Sequence, residues 1–218
     1  MAEAVNKEFL SKYFSRTKGN LYEGSNVDIT DKLEKDSGDE SQDQKDIKAL
    51  AAATKEPDPT ARLNKLKTLM DVDRFISFAA TEVFTWHHDG YSMDRNNYRI
   101  YNDPGTNQMV FIPHGFDQLF GKAKGPLFPE WKGVVAKAII STPEGKAKYK
   151  ERMSKLMASV FKTDTITNRI NQLSAVVKPL AGRDSTQGPN YENAVAQLRA
   201  RVLERAAFLE EELKKAGN

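Results

Sequence analysis

Over most of the chain, apolar residues recur every three or four positions, which is the period of an amphipathic helix. The strongest periodic segment is 72–86, where Asp71 is a suitable N-cap and the apolar side chains from Val72 to Trp86 share one side. The same pattern predicts further helices at 4–14, 46–54, 60–70, 131–140, 143–161, 164–177 and 191–215. The chain is therefore predicted to be mainly α-helical.

A different pattern interrupts the helices near the middle of the chain. Segments 97–101 and 109–113 are rich in β-branched and aromatic residues, and the residues between them include Asp103-Pro104-Gly105. Two such segments around a turn predict a β-hairpin. A further short strand is predicted at 21–24. The predicted fold class is mainly α with a small β-hairpin, an α+β protein.

The segment 25–46 is rich in Asp, Glu, Ser and Lys and poor in large apolar residues. Such a composition buries too little surface to offset chain entropy, so we predict a solvated loop or acidic insertion. Val27, Ile29 and Leu33 are expected to attach its beginning to the body of the protein. A length of 218 residues is enough for one domain with a substantial core.

Composition excludes few classes of protein. The net charge of +3 is small for this length and gives no case for nucleic-acid binding. The sequence has no apolar run of membrane-spanning length and no N-terminal signal sequence. The absence of cysteine excludes disulfides and cysteine-ligated zinc, and it leaves the cellular compartment open.

The candidate chemistry flanks the hairpin. In an antiparallel pair, the start of the first strand lies beside the end of the second. The loop before residue 97 and the loop after residue 113 should therefore meet, which brings Asp89, Asn96 or Asn97, and Asp117 together. Two carboxylates and an amide can orient a hydroxyl and hold Mg²⁺, so they suit phosphoryl transfer.

The order of these elements is also that of a protein-kinase C-lobe, with His87-His88-Asp89 in place of His-Arg-Asp and Gln118 in place of the Gly after Phe116-Asp117. From spacing alone, both aspartates could equally cap turns. Three histidines raise a second possibility, a metal-dependent hydrolase built on His87, His88 and His114. No histidine pair has metal-ligand spacing, so packing or hydrogen-bonding roles are favoured.

The segments Trp86–Tyr101 and Phe111–Asp117 resemble the core of the CotH-type kinases, atypical protein kinases named after a bacterial spore-coat protein. The segments Val5–Leu10 and Gly19–Gly24 resemble the part of that family after the hinge, and Asp71–Phe75 resembles a helix opening of the family. The resemblance covers most of 5–120. The C-terminal helices match only in general character.

The resemblance implies transfer of phosphate from ATP, with Mg²⁺ or Mn²⁺, to Ser or Thr of a protein substrate. It assigns the catalytic-loop aspartate to Asp89, the metal-binding aspartate to Asp117, and the assisting amide to Asn97 or Asn96. Glu3 would lie near the hinge that meets adenine.

On this reading the chain is one kinase-like C-lobe: a post-hinge part at 1–24, an insertion at 25–59, a catalytic core at 60–120 and helices at 121–218. The phosphate-covering loop and the strand lysine of an N-lobe have no counterpart in the sequence. We therefore expect the chain to be a fragment of a longer protein, with weak or no kinase activity by itself.

Two other functions remain open at this point. The first is a non-catalytic spore-coat or cell-surface binding protein with the same fold. The second is a metal-dependent phosphoesterase that uses the same carboxylates. The family resemblance suggests a bacterial spore-coat, secreted or cell-surface setting for the parent protein, without deciding among them.

Overall fold

The computed structural model describes residues 4–38, 44–181 and 188–217. The helices are α1 (Lys7–Tyr13), α2 (Lys45–Thr54), α3 (Pro59–Leu69), α4 (Val72–Thr85), α5 (Tyr91–Asp94), α6 (Val134–Ile140), α7 (Pro143–Ser159), α8 (Thr163–Ala181) and α9 (Gly188–Gly217). The strands are β1 (Leu21–Gly24), β2 (Glu34–Ser37), β3 (Tyr98–Asp103) and β4 (Gln108–Pro113), and a 3₁₀ turn spans Phe116–Gln118.

The predicted hairpin is confirmed as β3 and β4. Tyr98 pairs with Pro113 and Asp103 pairs with Gln108, so the start of β3 does lie beside the end of β4. Both strands extend further toward the turn than predicted. At the other end, Asn97 is excluded from β3 because its backbone is left-handed, with φ of 51°. The loops before β3 and after β4 therefore leave the sheet at the same end.

The hairpin belongs to a larger sheet, which the sequence did not predict in full. The four strands run antiparallel in the order β2-β1-β3-β4. The predicted strand β1 is confirmed. The prediction that 25–46 is a loop is wrong for β2, whose polar side chains suit an exposed sheet edge.

The start of this segment is anchored as expected. Ile29 and Leu33 are buried, and the Gln44 side chain exchanges hydrogen bonds with the Leu33 backbone at 3.3 and 2.6 Å. The segment therefore forms the edge of the fold. Only residues 39–43 within it lie outside the described ranges.

The sheet is buried on both faces over much of its width. One face packs Ile100, Met109 and Phe111 into the main core with α4, and the opposite face packs Tyr101, Val110 and Ile112 under the small helix α1. Side chains alternate between the faces along each strand, which explains why the central strands β3 and β4 read as nearly continuous apolar runs.

Helix α4 is the central element, as its periodicity predicted. The Asp71 side chain accepts a hydrogen bond from Arg74 N at 2.9 Å and so caps the helix. Phe75, Phe78 and Val83 are buried as expected. Trp86 differs from the prediction, because it is the left-handed C-cap and is only half-buried.

Helices α7 and α9 pack against α4, and α8 pairs with α9. The predicted inward side of α9 is confirmed by the burial of Val202, Ala206 and Leu209. The described residues thus form a mostly helical α+β fold with a small antiparallel sheet. Among them, no helix has the combined length and apolarity that a membrane crossing requires.

Candidate functional site

The loop that carries Asp89 begins at a fixed point, the C-terminal end of α4. Trp86 turns the chain in the left-handed conformation, and His87 N donates to Glu82 O at 2.8 Å. The short helix α5 follows, although the sequence predicted only a polar loop here. Because α4 is buried along its length, the loop has a rigid mount.

Asp89 is held by the two asparagines that precede β3. Its Oδ1 accepts from Asn96 Nδ2 at 3.0 Å, and its Oδ2 accepts from Asn97 Nδ2 at 2.8 Å. Asn97 Nδ2 also donates to the Asp89 carbonyl oxygen at 3.0 Å. These bonds fix the half-buried carboxylate on the loop. The structure therefore brings together three of the predicted site residues.

The loop after β4 meets the same asparagine. His114 N donates to Asn97 O at 3.1 Å, and Gly115 lies directly against the Asn97 side chain. A Cβ atom on Gly115 would lie 2.4 Å from Asn97 Oδ1, and its φ is +69°. Only glycine combines this conformation with such a close approach.

Asp117 lies two residues further on, in the exposed 3₁₀ turn. Between the two loops is the buried imidazole of His87, whose Nε2 donates to His114 O at 3.0 Å. Burial lowers the pKa of His87, and the charges of Asp89 and Asp117 both oppose that effect. The two carboxylates therefore act on one imidazole from separate loops.

Left-handed backbone is concentrated around this site. Besides Gly115, four residues here have positive φ: Trp86 at 48°, Arg95 at 60°, Asn97 at 51° and Phe120 at 59°. Bulky residues rarely adopt this conformation, and such strain persists where the surrounding structure imposes it. Backbone strain of this kind is typical of functional sites, so its concentration here favours a functional role for the two loops.

The two loops carry carboxylate and amide oxygens, which are the ligand types that Mg²⁺ and Mn²⁺ prefer. Asp117 is accessible, and Asn97 Oδ1 accepts no hydrogen bond from the residues that the structure describes. Within the described ranges, no three His, Cys, Asp or Glu side chains are grouped to hold a metal. Mg²⁺ commonly binds through one or two carboxylates and completes its shell with water and phosphate oxygens, so its chemistry does not require three such side chains.

The histidines do not converge on a common point. His87 is buried and bonded to a backbone carbonyl, His88 is exposed, and His114 lies 3.9 Å from a carboxylate oxygen of Glu23. Burial also lowers the pKa of His114. The hydrogen-bonding role expected of the histidines fits His87, whereas the buried Nε2 of His114 has no hydrogen-bond partner among the described residues. Glu3, the predicted hinge residue, lies outside the described residues.

Two buried ionisable residues that support the site were not anticipated. Glu82 accepts from Tyr91 N at 2.8 Å and from Ser92 N at 2.9 Å, and so caps α5, whose N-cap residue Gly90 has no side chain to do so. Burial raises the pKa of Glu82 to about 8, although the two amide bonds favour its charged form.

The second is Arg205, on the inward side of α9. A signal for both residues was present in the sequence. Each is a charged residue at a position that the helical period places on an apolar side, beside Ala79 and Val83 in one case and beside Val202 and Leu209 in the other. A charge in such a position requires a specific partner.

Fold and site together define an α+β protein with two carboxylates and two amides on neighbouring loops at one end of a hairpin. The family model described as CotH kinase protein matches residues 1–210. The chain therefore belongs to this family, which confirms the resemblance in the catalytic-core segments and extends it over the C-terminal helices.

Two curated relatives come from the fungus Rhizopus delemar. The chain is similar to invasin CotH2, with 28% identity over 137 residues, and to invasin CotH3, with 27% identity over 137 residues. Each alignment covers 56% of this chain and 23% of the relative. The chain thus spans less than a quarter of the length of these relatives, and they give no support to the bacterial setting expected from the family name.

Proposed function

We propose that this chain is the kinase-like C-lobe of a metal-dependent protein kinase, which transfers the γ-phosphate of ATP to Ser or Thr hydroxyls. The observation that carries the proposal is the anchoring of Asp89 by Asn96 and Asn97 beside the loop of Asp117. Membership of a family described as kinase proteins supports it.

The proposed roles follow from exposure and bonding. Asp89 is half-buried and fixed by two amides, so it can receive and orient a substrate hydroxyl without moving. Asp117 is exposed and can bind a cation, with Asn97 Oδ1 as the assisting ligand and Asn96 as an orienting neighbour. A bound Mg²⁺ or Mn²⁺ would neutralise phosphate charge during transfer.

A cavity of about 580 Å³ beside α1 is the proposed place for the base of ATP. Val5, Leu10 and Leu21 give it an apolar wall, and Asp36 lies at its margin. Leu21 pairs with Tyr101, so the cavity lies three residues along β3 from the Tyr98–Pro113 end of the sheet, where the two loops emerge. The size is typical of small-ligand sites. Glu3 precedes Val5 by two residues and keeps its proposed hinge role.

Metal binding tests the proposal without requiring transfer activity. Mn²⁺ broadens NMR signals of nearby nuclei, so titration with Mn²⁺ should selectively broaden the side-chain amide signals of Asn96 and Asn97. Asp117→Asn should weaken this effect at least several-fold. Glu210→Gln removes a carboxylate from the exposed side of α9 and should leave it unchanged.

Transfer is measured with radiolabelled ATP and Mg²⁺ or Mn²⁺ in a protein that joins this chain to a kinase N-lobe. We expect autophosphorylation there, because the N-lobe supplies the phosphate-covering loop and the strand lysine, and we expect Asp117→Ala to abolish it. Label that persists in the Asp117→Ala protein would contradict the metal assignment. Equal Mn²⁺ affinity in Asp117→Asn and the unmodified chain would contradict it independently.

A second candidate is a non-catalytic binding protein at a cell surface. The names of both curated relatives, invasins, favour it. On this hypothesis, neither Mn²⁺ nor ATP binds at the loops and no label is transferred. A phosphoesterase would instead release phosphate from p-nitrophenyl phosphate in an Asp117-dependent reaction without labelling protein.

A further inference from the structure

Arg205 is a fully buried cation in the middle of α9. In the part of the chain that the structure describes, no acidic side chain pairs with it; its guanidinium instead donates to backbone carbonyls. Burial lowers the pKa of Arg205 to about 10, so the side chain remains charged at neutral pH. Burying a charge in this way is costly unless hydrogen bonds compensate for the lost water.

The compensating bonds reach two separate segments. Toward α4, Nη2 donates to Val83 O at 2.5 Å and Nε donates to Phe84 O at 3.2 Å. Toward the loop after the 3₁₀ turn, Nη1 donates to Ala123 O at 3.1 Å and to Gly125 O. One side chain therefore joins the end of α4 to the loop at 123–125.

The hydrogen bonds from Arg205 help to satisfy the backbone carbonyls at the C-terminal end of α4. The last four carbonyls of a helix lack partners within it. In α4, Glu82 O accepts from His87 N, Val83 O accepts from Trp86 N and Arg205, and Phe84 O accepts from Arg205. Thr85 O accepts from Phe120 N at 2.6 Å. A positive charge is also favourable at this end of the helix dipole.

Arg205 also holds the residue at which the chain leaves α4. Its guanidinium lies over the Trp86 ring at 5.1 Å from the centroid. Gly125 also lies close to the Trp86 ring, because a Cβ atom added at Gly125 would be only 2.0 Å from that ring. The left-handed turn at Trp86 is thus enclosed by Arg205 and the 123–125 loop.

The two segments that Arg205 contacts are close in sequence to the two candidate carboxylates. The segment 83–86 leads to Asp89, and the segment 120–125 follows Asp117. We propose that Arg205 is a positioning residue, which sets the place of the Asp89 loop relative to the Asp117 loop from the C-terminal helix. The proposal deepens and rests on the proposed function, but the placement itself can be measured without activity.

Arginine is suited to this role in a way that lysine is not. Its planar fork presents several donors in fixed directions, whereas lysine has a single ammonium on a flexible stem. Arg205→Lys keeps the charge but cannot reach carbonyls of both segments at once. Released carbonyls such as Phe84 O would then be buried without a partner, which favours movement of the loops.

The test compares Arg205→Lys with Leu209→Ala, a matched control that damages the same buried side of α9 without touching these carbonyls. Urea unfolding and circular dichroism establish that each variant folds and how much stability it loses. The readouts of the site are the exchange protection of the Asn97 side-chain amide and the affinity for Mn²⁺.

We expect Arg205→Lys to lose the Asn97 protection and to bind Mn²⁺ at least several-fold more weakly, while Leu209→Ala retains both at comparable stability. Unchanged site signals in Arg205→Lys, or equal changes in the two variants, would overturn the proposal. If the unmodified chain binds no Mn²⁺, the proposed function fails, and the Asn97 signal alone still decides whether Arg205 positions the loops.

If Arg205→Lys does not fold, the proposal can still be tested by observing the Arg205 side chain itself in a protein that keeps it. The Arg205 Nε–H signal should shift in Asp89→Asn, because Arg205 contacts Trp86 at the start of the loop that carries Asp89. The Arg62 Nε–H, which donates to Ala138 O at 3.0 Å on another part of the protein, should not shift. An Arg205 signal that is insensitive to Asp89→Asn would refute the coupling.

Discussion

Glu82 makes the stability of the fold depend on pH in an unusual direction. Its carboxyl group is buried and its pKa is raised to about 8 from an ordinary value of 4.5. Between these values the folded chain holds a proton that the unfolded chain has released. The contribution of Glu82 to stability is therefore greatest below pH 4.5 and falls as the pH rises through 8.

The size of the effect follows from the two pKa values. A difference of one bound proton changes the free energy of unfolding by about 1.4 kcal/mol per pH unit. Allowing for partial titration at both ends, the free energy of unfolding should fall by about 2 to 3 kcal/mol between pH 5.5 and 7.5 from this group alone.

Histidines act in the opposite direction over part of this range. Burial lowers the pKa of His87 and of His114 in the folded chain, so their contributions to stability increase as the pH rises toward 6.5. Comparison with Glu82→Gln removes their effect, since both proteins contain both histidines. The glutamine keeps one acceptor for the α5 amides and has no titration of its own.

Urea unfolding at pH 5.5, 6.5 and 7.5 measures the difference. Glu82→Gln should be less stable at pH 5.5, because its NH₂ group cannot accept the second amide bond, and its disadvantage should shrink by about 2 to 3 kcal/mol toward pH 7.5. Parallel stability curves for the two proteins would show that Glu82 is already ionised when buried and would refute the reasoning.

Two further predictions concern packing. Gly115→Ala should lower the free energy of unfolding by about 1–3 kcal/mol, because the new methyl group would overlap the Asn97 side-chain amide. It should also shift the NMR signal of that amide. Urea unfolding measures the first effect and NMR the second. Phe84→Ala should lower the free energy of unfolding by about 3–5 kcal/mol, because the ring stacks on Phe161 with 3.8 Å between centroids. The control Leu173→Ala, on the exposed side of α8, should change it by less than about 0.5 kcal/mol.

The local sequence pattern was enough to predict the elements whose formation depends on residues close together in the chain. The helix at α4 and the hairpin of β3 and β4 follow from periodicity and turn residues, and the hairpin register then predicts that the flanking loops meet. Asp89, Asn96 and Asn97 could be grouped on that basis. The conformations of Asn97 and Trp86 could not, because left-handed backbone at such residues is imposed by distant neighbours.

Elements that depend on partners far away in the chain were missed. Strand β2 has polar side chains and forms because β1 offers it a free edge, not because of its own sequence. Glu82 and Arg205 occupy apolar sides of helices, and only the folded chain shows that backbone amides and carbonyls are their partners. Propensity carries no information about such contacts.

The bonds from Arg205 have a consequence for the synthesis of the protein. Arg205 and Phe84 are separated by 121 positions in the chain, so the ribosome makes the Asp89 loop long before it makes the residue that holds it. A nascent chain that already contains α4 and the hairpin still lacks the side chain that bonds the Phe84 carbonyl at the end of α4. We infer that the two loops take their final places only in the last stage of folding, when α9 docks.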